Sequence, residues 1–298
     1  MTSLTRRVWE HLIRLNGNTI QPESLGTVQT RIDELERRLN SIQNTLPQLV
    51  DFTQNEESLR SLLCLFNQVE VCNSIYHHYG VPLDGGYRIL DLSEPLTQVI
   101  SFGIGYDSSF EDELATEGVQ VDCYDHTIDV YPGTSNVNIR FMRLGLSDIE
   151  KFNPKNFSSI EMALQSIKSK RIPGASASLL LKMDCEGAEW GALNLATSTT
   201  LDQFDQILVE FHNLKDVVKY QLYTDVLSKI ALNFWCIEIH PNNHAETLFG
   251  KNLLVTDAIE VLFLNRRLIN SKDTQKVTLG SPLPNAPFRL SIHPRVIY

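Results

Sequence analysis

Three carboxylates crowd the end of one apolar run, Leu179-Leu180-Leu181-Lys182-Met183-Asp184-Cys185-Glu186-Gly187-Ala188-Glu189-Trp190. Unpaired carboxylates are costly to bury, so Asp184, Glu186 and Glu189 need cations, donors or solvent. Gly187 permits a sharp turn. Glu189 then falls in a first helical turn, where the dipole favours an acid, and Lys182 is an internal counter-charge. A solvated loop followed by N-cap acids is the plain alternative. Two later apolar runs end in Val209-Glu210-Phe211-His212 and in Glu238-Ile239-His240. Asp184, Glu210 and His212 form a donor set for a divalent metal such as magnesium. Alternatively His212 is a general base, with Glu210 orienting it and His240 as the runner-up, because imidazole titrates near neutrality. A lone histidine at such a place would be an ordinary structural donor.

Upstream lies Val99-Ile100-Ser101-Phe102-Gly103-Ile104-Gly105-Tyr106-Asp107-Ser108-Ser109-Phe110. Gly103 and Gly105 let the backbone turn tightly and approach a ligand without a Cβ clash. A dinucleotide site wants a third glycine where Ser108 stands. The following helix opens as a capping box with Glu111, Asp112 and Glu113, and acids there repel a pyrophosphate. A cationic or zwitterionic ligand is more compatible. The turn alone is also consistent with a plain tight turn. Asp125 lies about 20 residues further on, where an acid can accept hydrogen bonds from both ribose hydroxyls of an adenosine. Its competing role is that of a helix N-cap.

These residues must be positioned by a sheet. Short apolar runs at 99–102, 119–124, 138–144, 179–183, 206–211, 234–239 and 259–264 read as strands. Helical pattern fits 109–117, 158–168, 189–196 and 217–231. Continuous apolar strands separated by helices predict an α/β fold with a parallel sheet covered on both faces. No convincing helix separates the last two strands, so the last is expected to run antiparallel. Ligands of such sheets bind at the carboxyl ends of the strands.

Before the sheet, a helix is expected from Glu56 to His78, through Leu59, Leu62, Leu63, Phe66, Val69 and Ile75. Gly80 would be its C-cap, with His77 and His78 in its last turn. Earlier still, Leu25, Val28, Ile32, Leu35, Leu39, Ile42 and Leu46 are spaced alternately three and four apart. That is a heptad seam, and a homo-oligomer through 25–46 is expected from it, with a single long helix as the alternative. The chain therefore divides into an N-terminal helical or coiled-coil arm (1–50), a helical lead-in (51–98), a catalytic domain (99–270) and a Pro-rich tail (271–298).

The 298 residues are 42% hydrophobic and 21% charged, an ordinary globular balance. The formal charge of -10 disfavours nucleic acid as a partner. No run approaches the roughly 18–20 apolar residues of a membrane span. The first residues lack the apolar stretch and small-residue cleavage site of a signal peptide. Five cysteines without a CxxC pair fit buried thiols in a reducing cytoplasm.

The runs SFGIGYDSSFEDELATEGVQVDCYDHT and LLLKMDCEGAEWGAL, followed by ILVEFH, resemble the FkbM-type S-adenosylmethionine-dependent methyltransferases. The D-x-E-G-x-E element from Asp184 to Glu189 is the most specific part, within a resemblance spanning about 99–268. It implies a class I methyltransferase fold: a Rossmann-like seven-stranded sheet, mostly parallel with an antiparallel last strand and helices on both faces. It also implies S-adenosyl-L-methionine as cofactor, held by Ser101, Phe102, Gly103, Gly105, Asp125, His126 and Asp184. One departure matters. The acid that usually precedes the glycine turn and helps bind the methionine amino group is Ser101 here. That contact must come from Glu111, Asp184 or a water-bridged group. The implied reaction is O-methylation of a small-molecule or sugar hydroxyl. Two competing readings are a non-catalytic oligomeric scaffold with a degenerate cofactor fold and an NAD-dependent enzyme, the latter disfavoured by Ser108.

Overall fold

The computed structural model describes residues 48–81, 85–168, 178–242, 244–269, 273–276 and 288–289. The heptad seam at 25–46 lies outside them. In chain order the elements begin with β1 (Leu49–Asp51), α1 (Glu56–Cys64), β2 (Val69–Val71), β3 (Tyr76–Tyr79), β4 (Tyr87–Leu90), β5 (Leu96–Phe102), α2 (Ser109–Thr116), β6 (Gln120–Tyr124) and β7 (Ile139–Met142). There follow β8 (Gly145–Leu146), β9 (Phe157–Ser158), α3 (Ile160–Lys168), β10 (Ser178–Met183), α4 (Glu189–Leu195), α5 (Ser198–Leu201) and β11 (Gln206–Phe211). The chain continues with α6 (Tyr220–Asn233), β12 (Phe234–Pro241), β13 (Thr247–Phe249), β14 (Leu253–Thr256), β15 (Ile259–Asn265), β16 (Thr274–Lys276) and β17 (Phe288–Arg289).

The main sheet has seven strands in the order β12-β15-β11-β10-β5-β6-β7. The pairs from β11 through β10, β5 and β6 to β7 are all parallel. Only β15 runs against its neighbours, β11 and β12. Every residue of β10 and of β11 is buried, as expected of central strands covered on both faces. One face carries Ile100, Phe102, Leu181, Met183, Val209 and Phe211. Against it pack α1, the stripe Ile160, Ala163, Leu164 and Ile167 of α3, Trp190 and Leu193 of α4, and Tyr223, Val226, Leu227 and Ile230 of α6. The other face carries Val99, Val121, Leu180 and Leu208. It is covered by Phe110, Leu114 and Ala115 of α2 and by Tyr87 and Ile89 of β4. From β5 the chain steps out to β6 and β7 and then returns to β10 on the opposite side. The switch point, where ligands settle in such sheets, is therefore the β5/β10 boundary.

The helical lead-in needs correction. The helix that begins at Glu56 ends at Cys64, and the described residues of 51–98 hold one helix and several strands. Leu59, Leu62 and Leu63 are its buried stripe, but Asn67 then turns left-handed at φ 46°. Val69 and Val71 alternate with exposed Glu70, which is the period of a strand. His77 and His78 lie on β3, paired antiparallel with β4, and not in a helical turn. Gly80 does take a positive φ of 85°, but it follows a strand.

The segment between β12 and β15 also differs from a bare connection. It folds into the β13–β14 hairpin, which buries Leu248, Leu253 and Val255. With β1 and β17 it forms a second sheet, ordered β1-β13-β14-β17. The Pro-rich tail thus contributes β17 here, and β16 pairs with β2. The five thiols are all unpaired; Cys123 and Cys236 are buried, whereas Cys64 and Cys72 are exposed. Among the described residues no helix is long and apolar enough to cross a membrane.

Candidate active site

A cavity of about 540 Å³ opens at the carboxyl ends of β5, β6 and β10. Gly103, Gly105, Asp125, His126, Lys182, Asp184 and Glu186 are among the residues lining it. The sheet's switch point thus gathers residues that lie far apart in the chain.

The glycine turn is shaped by backbone crowding. Gly103 has φ 77°, and a Cβ built on it would lie 1.6 Å from the Asp184 carbonyl oxygen. Its N–H donates to the Tyr124 carbonyl at 2.9 Å, while the Asp184 N–H donates to the Phe102 carbonyl at 3.0 Å. The turn thereby bridges β6, β5 and the exit of β10. Gly105 has φ 59°, and a Cβ there would meet nothing within 4 Å, so its backbone faces open space.

Asp125 holds this turn from the side. Its Oδ2 accepts the Ile104 and Gly105 N–H groups, each at 2.9 Å. Its Oδ1 accepts the Thr127 N–H at 2.7 Å and hydroxyl at 2.6 Å. Burial acts to raise its pKa, but the bonds from Thr127, Gly105 and Ile104 outweigh it and hold the carboxyl below its usual range. Asp125 is therefore not a helix N-cap. His126 lines the cavity with its ring 5.3 Å from that of Phe157.

Ser101 and Phe102 are not among the lining residues. The Phe102 ring stacks on Tyr124 at 4.6 Å. The Ser101 hydroxyl donates to Glu111 Oε1 at 2.6 Å. The acids at the start of α2 diverge. Glu111 turns inward and lines the cavity, Asp112 is approached by Ser108, Tyr131 and Thr134, and Glu113 accepts the Gly80 N–H at 2.7 Å. The Ser108 hydroxyl donates to Asp112 at 3.1 Å and makes no cap bond, so the expected capping box does not form.

The D-x-E-G-x-E element now has a mechanical reading. Glu186 and Gly187 both take left-handed conformations, at φ 54° and 109°. The fully buried Glu189 reaches back over this turn, accepting the Cys185 N–H at 2.5 Å and the Gly187 N–H at 2.9 Å. It clamps the loop as well as opening α4. Asp184 is left facing the cavity, where the Tyr87 hydroxyl donates to its Oδ2 at 2.8 Å. Sequence reading missed Tyr87.

His212 sits among four carboxylates. Its Nδ1 lies 3.2 Å from Glu189 Oε1. Its Nε2 lies 3.5 Å from Glu210 Oε1, 3.6 Å from Glu186 Oε2 and 3.8 Å from Asp184 Oδ1. Burial lowers its pKa, but Glu189, Glu210 and Asp184 prevail and push it up to about 9. Ligand atoms of Asp184, Glu210 and His212 all lie within 4.8 Å of one another. Two carboxylate oxygens and an imidazole nitrogen suit a hard divalent cation. His240 is not brought to this group. It faces Glu238 on β12, and β15 intervenes between that strand and Glu210. Alternation along one strand put the two side chains together and kept them two strands from the cavity's rim.

The aromatic packing beneath His212 fixes its backbone. Trp190 stacks on Phe211 at 4.1 Å and on Tyr223 at 4.0 Å, and its Nε1 donates to the His212 carbonyl at 2.8 Å. Trp190→Phe keeps the stack and strands that carbonyl. It is expected to cost about 1–2 kcal/mol and lower the thermal midpoint by about 3–6 °C. An unchanged melting curve by circular dichroism would show the bond to be idle.

A family model described as a methyltransferase domain matches residues 84–251, more than half of the chain. A search of curated proteins finds no match. The matched stretch contains the glycine turn, Asp125, the Asp184–Glu189 element, Glu210 and His212. Its strands also supply six of the seven in a sheet whose reversed strand alone lies beyond the match. On the match and the sheet together, the chain belongs to the methyltransferase domain family.

Proposed function

We propose that this chain is an S-adenosyl-L-methionine-dependent methyltransferase of the FkbM type (EC 2.1.1.-) that methylates a hydroxyl of a small-molecule or carbohydrate acceptor. The observation that carries the reading is the cavity at the β5/β10 switch point, with the glycine turn, Asp125 and Asp184 on its wall. The open backbone at Gly105 is a surface that a nucleoside can cover closely. Asp125 lines the cavity beside that turn and would meet the ribose there. When bound, the cofactor supplies a methyl group on a positively charged sulfonium. The acids Glu111, Asp184 and Glu186 complement that charge.

What remains for the chain is to align the acceptor and to receive its proton. Asp184 and Glu186 face the cavity, whereas His212 is not among the lining residues and turns both ring nitrogens to carboxylates. The reading of His212 as a direct base is therefore less favoured than that of a ligand. Asp184, Glu210 and His212 would hold a divalent cation such as magnesium at the rim. Glu189 would keep the His212 Nδ1 side occupied and its Nε2 aimed inward. Such a cation lowers the pKa of a hydroxyl bound to it.

Calorimetry with S-adenosylhomocysteine tests the cofactor: micromolar or tighter binding is expected, and no binding would overturn the reading in favour of a scaffold. For the cation, manganese titrated into chelator-treated protein is expected to bind at one site per chain. Glu210→Gln is expected to weaken it about tenfold or more. Titration without saturation in the native protein would remove the metal.

A further inference from the structure

Each of the three candidate ligands, Asp184, Glu210 and His212, is held by a side chain from elsewhere in the chain. Glu189 holds His212, as described above. Asp184 and Glu210 have partners of their own, Tyr87 and Asn242. Tyr87 lies on β4, 97 residues before Asp184, and Asn242 follows β12, 32 residues after Glu210.

Tyr87 arrives from the layer that covers the sheet. It packs in the cluster that holds Val99, Leu180 and Leu208. Its ring meets Phe110 edge-on at 5.4 Å, and the Lys182 ammonium lies 5.2 Å from the ring centre. A phenylalanine would satisfy all of that packing. What the hydroxyl adds is one bond, donated to Asp184 Oδ2 at 2.8 Å. That bond fixes the carboxylate in rotation. The other oxygen, Oδ1, is the one that lies 3.8 Å from His212 Nε2.

Asn242 arrives from the far side. Its N–H donates to the Ala258 carbonyl at 3.1 Å, which sets it beside the start of β15. Ile259, the first residue of β15, is the register partner of Phe211 on β11. One strand end therefore separates Asn242 from Glu210. The Asn242 Nδ2 crosses it and donates to Glu210 Oε1 at 2.5 Å. The orientation of the amide is set independently, because its Oδ1 accepts the His244 N–H at 2.7 Å. Glu210 Oε1 is also the oxygen 3.5 Å from His212 Nε2. A carboxylate oxygen has two lone-pair sites, so it can accept the amide and still serve the imidazole side.

Directing two carboxylates at one point is unfavourable by itself, and donors that hold them there fix the aim before a cation arrives. Outer partners of this kind orient metal ligands, and their loss weakens metal binding about 10- to 100-fold. We propose that Tyr87 and Asn242 are positioning residues of the divalent-cation site, Tyr87 fixing Asp184 and Asn242 fixing Glu210, a role that rests on the cation reading above. The β3–β4 hairpin and the connection after β12 then belong to one site with the strand ends of β10 and β11.

The test titrates manganese into the chelator-treated full chain by calorimetry and measures the melting midpoint of each metal-free variant beside it. Tyr87→Phe keeps the ring and loses the hydroxyl. Asn242→Ala removes the amide at a half-buried position. Both variants are expected to fold, and each is expected to weaken manganese about tenfold or more while one site per chain is kept. Tyr79→Phe is the matched control. It removes a hydroxyl from the same hairpin and from a ring that also meets Phe110 edge-on, but that hydroxyl donates to Glu117 at 3.0 Å. Its manganese binding is expected to equal that of the native chain. A bond that serves only the fold would lower the metal-free midpoint and leave manganese binding untouched. A variant at native manganese affinity therefore overturns the role of that residue and leaves the cation site standing. An equal loss in Tyr79→Phe overturns the role of Tyr87. Absence of saturable binding in the native chain overturns the cation site itself, and both roles with it.

Discussion

Asp125→Ala is expected to weaken S-adenosylhomocysteine binding about 100-fold or more, close to 3 kcal/mol. Two effects add. The carboxylate accepts the Ile104 and Gly105 N–H groups, and without it both donors lose their partner within the turn that must carry the nucleoside. A hydrogen bond to a charged group contributes about 1.5–3 kcal/mol, and an orphaned buried donor costs a further desolvation penalty. Removal also deletes the acceptor expected to meet the ribose. Asp125→Asn separates the two effects. It keeps one carbonyl oxygen for the turn and is expected to lose only about tenfold. Calorimetry reads both variants, and undiminished binding by Asp125→Ala would exclude this carboxylate from the cofactor site.

Gly103→Ala is expected to carry the largest loss of stability of any conservative change at the site. The methyl group would sit 1.6 Å from the Asp184 carbonyl oxygen and 2.6 Å from its carbon. Neither atom belongs to a flexible side chain. Both lie where β10 leaves the sheet, held by the bond from the Asp184 N–H to the Phe102 carbonyl. Relief requires β5 and β10 to separate at their ends. Left-handed strain of about 1–2 kcal/mol comes on top. A total of about 4 kcal/mol or more corresponds to a midpoint lowered by about 8–16 °C. Gly118→Ala is the matched control. It has φ 94° and nothing within 4 Å of the added carbon, so only the strain applies, about 1–2 kcal/mol. Equal losses in the two variants, by thermal or urea unfolding, would show that the crowding at Asp184 is relieved for free.

The sheet was legible because its strands are buried on both faces. Runs such as Leu179–Met183 and Ile207–Phe211 leave no room for polar alternation, and strand ends can then be read as a row of candidate site residues. Asp184, Glu210 and His212 follow such strand ends, and the sheet brings them together. The lead-in reads as one long helix in sequence because Leu59, Leu62, Leu63 and Phe66 set a helical rhythm that Val69 and Ile75 happen to extend. The left-handed Asn67 breaks it, and asparagine signals that conformation weakly beside glycine. Tyr87 was missed because its partner, Asp184, is 97 residues away and no local pattern links them. Glu111, Asp112 and Glu113 look equivalent in sequence. Only the packing of Phe110 and Leu114 against the sheet decides which of them turns inward. His240 ends its strand as His212 does, but strand order rather than chain order separates them.

The reversed strand β15 also governs the order in which the molecule can be completed. It is the last strand of the main sheet to leave the ribosome, yet it belongs between β11 and β12. Until 259–265 is available, β11 presents an unsatisfied edge and β12 has no neighbour in the sheet. A nascent chain stalled after β14 therefore holds every strand of the cavity wall but exposes a long apolar edge, Gln206–Phe211, to other chains. The stretch 84–251 taken alone would share that defect permanently, since its sheet lacks the strand that joins its last member to the rest.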